Sequence, residues 1–160
     1  MLSLRRFWIL TGLMWAIAAV AMTPAQGQPT ALNISTRAPD LAPIPTRLQY
    51  GVVSVRNMGP AASVPSVVTI NCNKTGRRGG CVDIPPQFAA AYTNPAFPNR
   101  IVVNVPALAP GHVHNHPLPF WAAMAWPSGA YQFDFTADAS ASNAESNEGN
   151  NEGAWTKVVP

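Results

Sequence analysis

The clearest signal in the chain is alternation. In GAYQFDFTAD, Tyr131, Phe133 and Phe135 alternate with Gln132, Asp134 and Thr136. That is the two-residue period of a strand with one face in a core and the other in water. RIVVNVPAL repeats it with Ile101, Val103 and Val105 on one face, and SVPSVVTINC with Val68, Ile70 and Cys72 against Thr69 and Asn71. In VVSVRNMGPAA, Val53 and Val55 oppose Ser54 and Arg56, and Asn57 and Gly59 supply the turn chemistry that ends the strand. DLAPIPTRL reads as an extended, proline-broken edge strand, and HVHNHPLPFWAAMAW as a proline-interrupted strand entered through a tight Pro110–Gly111 turn. GAWTKVVP closes the series. The stretch 82–99, rich in proline, alanine and aromatics, reads as a long loop with a short helical turn at PQFAAAY. No long window has helical periodicity, and no internal repeat occurs. About seven short strands with turns between them predict an all-β fold: a single β-sandwich of antiparallel strands.

Composition supports this picture. Seventeen prolines and eleven glycines in 160 residues favour short strands and turns over long helices. Charged residues make up only 11%, which argues against a highly charged disordered chain. Part of the 48% hydrophobic content lies at the N-terminus, where Arg5 and Arg6 precede an apolar run from Phe7 to Met22 and small residues follow at Ala19, Ala21, Ala25 and Gly27. Residues 1–27 therefore read as a secretory signal peptide cleaved after Ala21 or Gly27, the alternative being an uncleaved membrane anchor. The run of about 16 residues is short beside the roughly 20 needed to span a bilayer. Residues 28–39 form a flexible lead-in and 40–160 the folded domain.

Removing Arg5 and Arg6 takes the formal charge from +3 to about +1 (8 basic minus 7 acidic residues). No basic patch with interleaved aromatics remains, so no nucleic-acid partner is expected, and no membrane association after cleavage. The expected location is secreted or periplasmic. In an oxidising compartment Cys72 and Cys81 should pair, closing a polar loop worth about 2.7 kcal/mol of chain entropy.

Three groups of residues carry candidate chemistry. His112, His114 and His116 alternate on one face of an extended strand. Neighbours about 7 Å apart can share a zinc or copper ion, but the outer pair, about 13 Å apart, is too far for a compact site. A metal centre would need two of the three and a ligand from elsewhere. The other reading is a polar edge strand, since Pro117 and Pro119 mark an edge and imidazoles there discourage sheet-to-sheet association. In DASASNAESNEGNNEG, the residues Asp138, Glu145, Glu148, Asn150 and Asn151 offer hard oxygen ligands for calcium, yet the spacing fails the EF-hand pattern. The other reading is a structural loop whose side chains bond backbone N–H groups. Finally, the loop arginines Arg77 and Arg78 with Tyr92 and Phe97 offer a binding surface, unless the aromatics pack inward. No nucleophile elbow, zinc-protease helix or phosphate loop occurs, so no catalytic residues are assigned and no enzyme is expected. No cofactor is expected beyond the alternatives of calcium or a transition metal.

The order of four elements resembles the cell-adhesion-related domain found in bacteria, CARDB. The elements are a strand ending in N-x-G (Asn57, Gly59), an L-x-P-G turn (Leu108 to Gly111), a G-x-Y strand running into Asp (Gly129 to Asp138), and an E-x-N-E-x-N-N loop (Glu145 to Asn151). The match spans about residues 40–160. The segment 72–100 is longer than the family pattern needs, and the strand after the P-G turn carries histidines where the family has small polar and apolar residues. The resemblance implies an immunoglobulin-like sandwich acting as an exported, non-catalytic binding or adhesion-type module of the bacterial cell envelope. Its partner would be an envelope protein or glycan, and its ligand is not specified. The alternative is a periplasmic metal-binding protein using the His112, His114 and His116 strand.

Overall fold

A computed structural model describes residues 37–75 and 80–160. The expected signal peptide, most of the lead-in, and Arg77 and Arg78 lie outside the described residues. Those residues form seven strands: β1 (Leu41–Pro43), β2 (Val52–Asn57), β3 (Ser66–Lys74), β4 (Arg100–Val105), β5 (Val113–Pro117), β6 (Gly129–Thr136) and β7 (Glu152–Val159). One helix, α1 (Pro86–Tyr92), falls on the helical turn predicted at PQFAAAY. The strands make two antiparallel sheets, β1-β2-β5 and β4-β3-β6-β7. The protein is an all-β sandwich, as the alternation predicts.

The core lies between the two sheets. β3 and β6 sit centrally, and their register sets Ile70 against both Ile101 and Phe135, and Cys72 against Phe133. Tyr131, Phe133 and Phe135 are fully buried, as are Val68, Val103 and Val105. The opposing sheet contributes Leu41, Val53 and Val55. Burying each such side chain contributes about 1.5–3 kcal/mol. Around Phe133 the tryptophans close the end of the core: Trp121 and Trp126 meet it edge-on at 5.4 and 5.6 Å, and Trp155 stacks on it at 5.7 Å.

Prolines shorten two predicted strands. The DLAPIPTRL segment pairs with β2 only through Leu41–Pro43, then turns into a 3-10 helix over Pro45–Tyr50. The segment after Pro117 leaves β5 and forms a 3-10 turn at Trp121–Ala123. Proline has no N–H to continue a ladder, so pairing stops where prolines cluster.

The N-x-G element does more than turn the chain. Asn57 is completely buried and uses every hydrogen-bonding position of its amide. Its Oδ1 accepts from the backbone N–H of Asp40 (3.1 Å) and Gly59 (3.0 Å). Its Nδ2 donates to the carbonyls of Ala61 (2.7 Å) and Leu108 (2.9 Å). One side chain thus ties β1, the end of β2 and the L-x-P-G turn together. Gly59 lies so close to the Ala38–Asp40 backbone that a Cβ would sit 2.5 Å from the Ala38 carbonyl oxygen.

Candidate functional site

Three places in the sandwich could meet a ligand. The first is a cleft created by unequal strand lengths. β4 pairs with β3 only as far as Asn71, so Cys72 to Lys74 runs on without a β4 neighbour. The disulfide between Cys72 and Cys81, with Cα atoms 6.1 Å apart, draws the segment Gly80–Ile84 over this stretch, and the expected pairing is present. The result is an open cleft of about 1330 Å³. Its apolar part includes Met124, Trp126 and Phe133, and its polar part Lys74, Arg100 and Gln132. Trp126 is half-buried, packs edge-on against Tyr131 at 4.9 Å, and has a buried indole N–H with no hydrogen-bond partner. Lys74 is held in place by the Ser128 carbonyl (2.9 Å) and the face of Tyr131 (5.4 Å). Thr75 and Gly80, which flank the loop arginines, both line the cleft.

Of the other residues expected on a binding surface, Phe97 is half-buried, while Tyr92 is buried in the core cluster. Its position corrects the reading of Tyr92 as a surface residue. It ends α1, a helix whose ring-bearing face turns inward: Phe88 and Tyr92 meet Phe120 at 5.5 and 5.1 Å. Sequence reasoning weighed Trp126 only as one turn aromatic among several and did not single out Lys74. The signal that could have found them was the difference in length between the predicted β3 and β4.

The second place is the histidine strand. β5 is an edge strand, the partner of β2. The register pairs His116 with Val53 and His114 with Val55, both core residues, so these two imidazoles lie on the core-facing side of β5, where they are half-buried. His112 precedes β5 and is exposed, so the structure does not bring all three histidines together. Their rings are 6.0 Å apart between centres for His114 and His116. The Tyr92 hydroxyl lies 3.1 Å from His116 Nε2, and His114 Nε2 is buried without a hydrogen-bond partner. Burial holds both imidazoles below their ordinary pKa, and for His114 the neighbouring His116 adds to the effect.

The third place is the acidic loop. The carboxylates of Asp138, Glu145 and Glu148 are engaged with the protein itself, whereas the side-chain oxygens of Asn150 and Asn151 are buried without a hydrogen-bond partner. Glu145 accepts from the Leu41 backbone N–H and Asn150 donates to Asp40 Oδ1 (2.8 Å), which fastens the loop to β1. Asn151 Nδ2 donates to Glu148 Oε2 (2.9 Å). Asp138 accepts from the N–H groups of Ser142 (3.1 Å) and Asn143 (2.8 Å). Among the described residues, no three His, Cys, Asp or Glu side chains converge to hold a metal ion.

Burial raises the Glu145 pKa from 4.5 to about 7; the Leu41 N–H opposes this, and the carboxylates of Glu148, Asp138 and Asp40 add to it. A carboxyl with a raised native pKa binds more protons folded than unfolded, so its contribution to stability is complete below pH 4.5 and is lost as pH rises through 7. Glu145→Gln keeps an oxygen for the Leu41 N–H and removes the charge. Melting curves of this variant and the parent should diverge between pH 5 and pH 8. The variant is expected to melt higher at pH 8, by about 3 °C. Parallel pH profiles would show that Glu145 does not titrate in this range.

No family model and no curated protein matches the chain. Among solved structures, the crystal structure of the CARDB domain of a Pyrococcus furiosus protein in complex with di-metal ions is similar to it. The TM-score is 0.42 at 17% sequence identity, covering 76% of this chain and 94% of that chain. Among the described residues no helix is long and apolar enough to cross a membrane.

Proposed function

We propose that the chain is an exported, non-catalytic recognition module of the bacterial cell envelope, CARDB-like in its motif order, that holds an extended partner in the cleft beside the disulfide. The observation that carries this reading is the cleft itself. It joins aromatic and apolar side chains to amide and cationic ones, the mixture by which ligand sites fix both affinity and orientation. Its volume and openness suit a chain-like partner better than an enclosed small molecule. Export is supported by the basic and apolar N-terminal run and by the disulfide, which persists in oxidising compartments.

Backbone amide shifts of the full chain, followed during titration with soluble envelope glycan fragments and separately with peptides from envelope proteins, test this. The expected result is saturable movement clustered at Lys74, Trp126 and Gln132 with one of the two ligand classes. Trp126→Ala should weaken that binding about tenfold, about 1.4 kcal/mol. Shifts confined to other surfaces, or none at millimolar ligand, would reject the cleft as the site.

A further inference from the structure

The geometry points to a mononuclear site for copper(II) or zinc(II) at the β5 edge, with His114 and His116 as nitrogen ligands and the Tyr92 hydroxyl as the oxygen ligand. Three observations meet there. The two imidazoles stand two residues apart on one strand face, with ring centres 6.0 Å apart. Two rings bound to one ion through bonds of about 2.0–2.1 Å hold their centres roughly 5–6 Å apart, so little movement is needed to share an ion. The Tyr92 hydroxyl and His116 Nε2 are separated by 3.1 Å. Two ligand atoms on one tetrahedral ion lie about 3.3 Å apart, so this pair already spans one edge of such a site. Lastly, His114 Nε2 is buried with no hydrogen-bond partner. A lone nitrogen in that position is destabilising until something occupies it.

The identity of the ion follows from the donors. Imidazole nitrogen suits copper, zinc and nickel rather than calcium or magnesium; the tetrahedral spacing fits zinc(II) as it stands, while copper(II), higher in the affinity order, would draw the donors toward a tetragonal arrangement. His112 takes no part, because it lies before the strand and is exposed. With three protein donors the fourth position is left to water, an open arrangement rather than a closed structural one. The site is separate from the cleft, so it stands or falls independently of partner recognition there.

Calorimetric titration of the full chain with copper(II) chloride and with zinc chloride tests the assignment. One equivalent should bind. His114→Gln and His116→Gln should each weaken binding about a hundredfold, and Tyr92→Phe, which keeps the ring packing on Phe120, about tenfold. His112→Gln should leave it unchanged. Electron paramagnetic resonance of the unaltered copper complex gives a readout that needs no variant: coupling to two imidazole nitrogens is expected. Failure to bind a stoichiometric equivalent, coupling to a different number of nitrogens, or a His112→Gln loss equal to that of His116→Gln would overturn the site.

Discussion

Replacing Asn57 by alanine is expected to lower the unfolding free energy by about 2–4 kcal/mol, from one buried backbone N–H left unsatisfied at 1–3 kcal/mol and one further buried hydrogen bond lost at about 1 kcal/mol. The N–H is that of Gly59; the Leu108 carbonyl loses its bond to Asn57 but still accepts from the Ser63 N–H (2.9 Å). The Asp40 N–H and Ala61 carbonyl bonds are partly buried, so water can replace Asn57 there at lower cost. A loss of this size is a large part of the 5–15 kcal/mol that a typical domain has. Asn57→Asp separates the two halves of the role. It keeps the acceptor for Asp40 and Gly59, but sets an acceptor-only carboxylate against the carbonyls of Ala61 and Leu108. Urea unfolding should therefore find Asn57→Asp no more stable than Asn57→Ala. An aspartate as stable as the parent would remove the donor half from the account.

Phe133→Ala is the second large effect, about 3–5 kcal/mol, the usual cost of removing a buried phenylalanine and leaving a cavity. Phe133 is fully buried and touches Trp121, Trp126 and Trp155, so the cavity opens where three tryptophans rely on one ring for their positions. Phe133→Leu retains much of the volume and should cost less than about 1.5 kcal/mol. Near-ultraviolet circular dichroism provides a second measurement, because the tryptophan signal depends on fixed ring environments. It should collapse in Phe133→Ala and persist in Phe133→Leu. Because Phe133 also lines the cleft, the alanine variant should lose partner binding as well. A stability loss under about 1 kcal/mol would mean that the tryptophans close the core without it.

Alternation made the sandwich legible because Ile101, Val103 and Val105 of β4 and Tyr131, Phe133 and Phe135 of β6 share one face, while Gln132, Asp134 and Thr136 lie opposite, leaving a clear face to bury. The same rule placed the three histidines on one face but could not say which face. That depends on register with β2, and a slip of one residue would turn His114 and His116 outward. The register follows from contacts far away in sequence, including the fit of Tyr92 from α1 against His116. Asn57 was legible as a turn residue, since asparagine with glycine two residues on is a local signal. Its four bonds to segments up to 51 residues away were not, because nothing local records them. The acidic loop shows the same limit: its composition suggested an ion or a cap, and the choice of partners for Glu145 lay 104 residues upstream. The cleft arose from a mismatch between strand lengths, a relation between two segments rather than a property of either.

The fastening of Asp40 and Leu41 to the acidic loop has a mechanical meaning. The chain enters the sandwich at the pole where β7 begins, and β7 then runs eight residues to the opposite pole, about 25 Å away. A load applied between the entry and Pro160 would therefore run lengthwise along the strands. Along that line it would shear the β6–β7 ladder, whose register extends from Gly129–Val159 to Thr136–Glu152, and the shorter β1–β2 ladder of Leu41–Asn57 to Pro43–Val55, rather than unzip either bond by bond. Tension between these two points would load the domain along its strands, with Asn57 and Glu145 at the entry end.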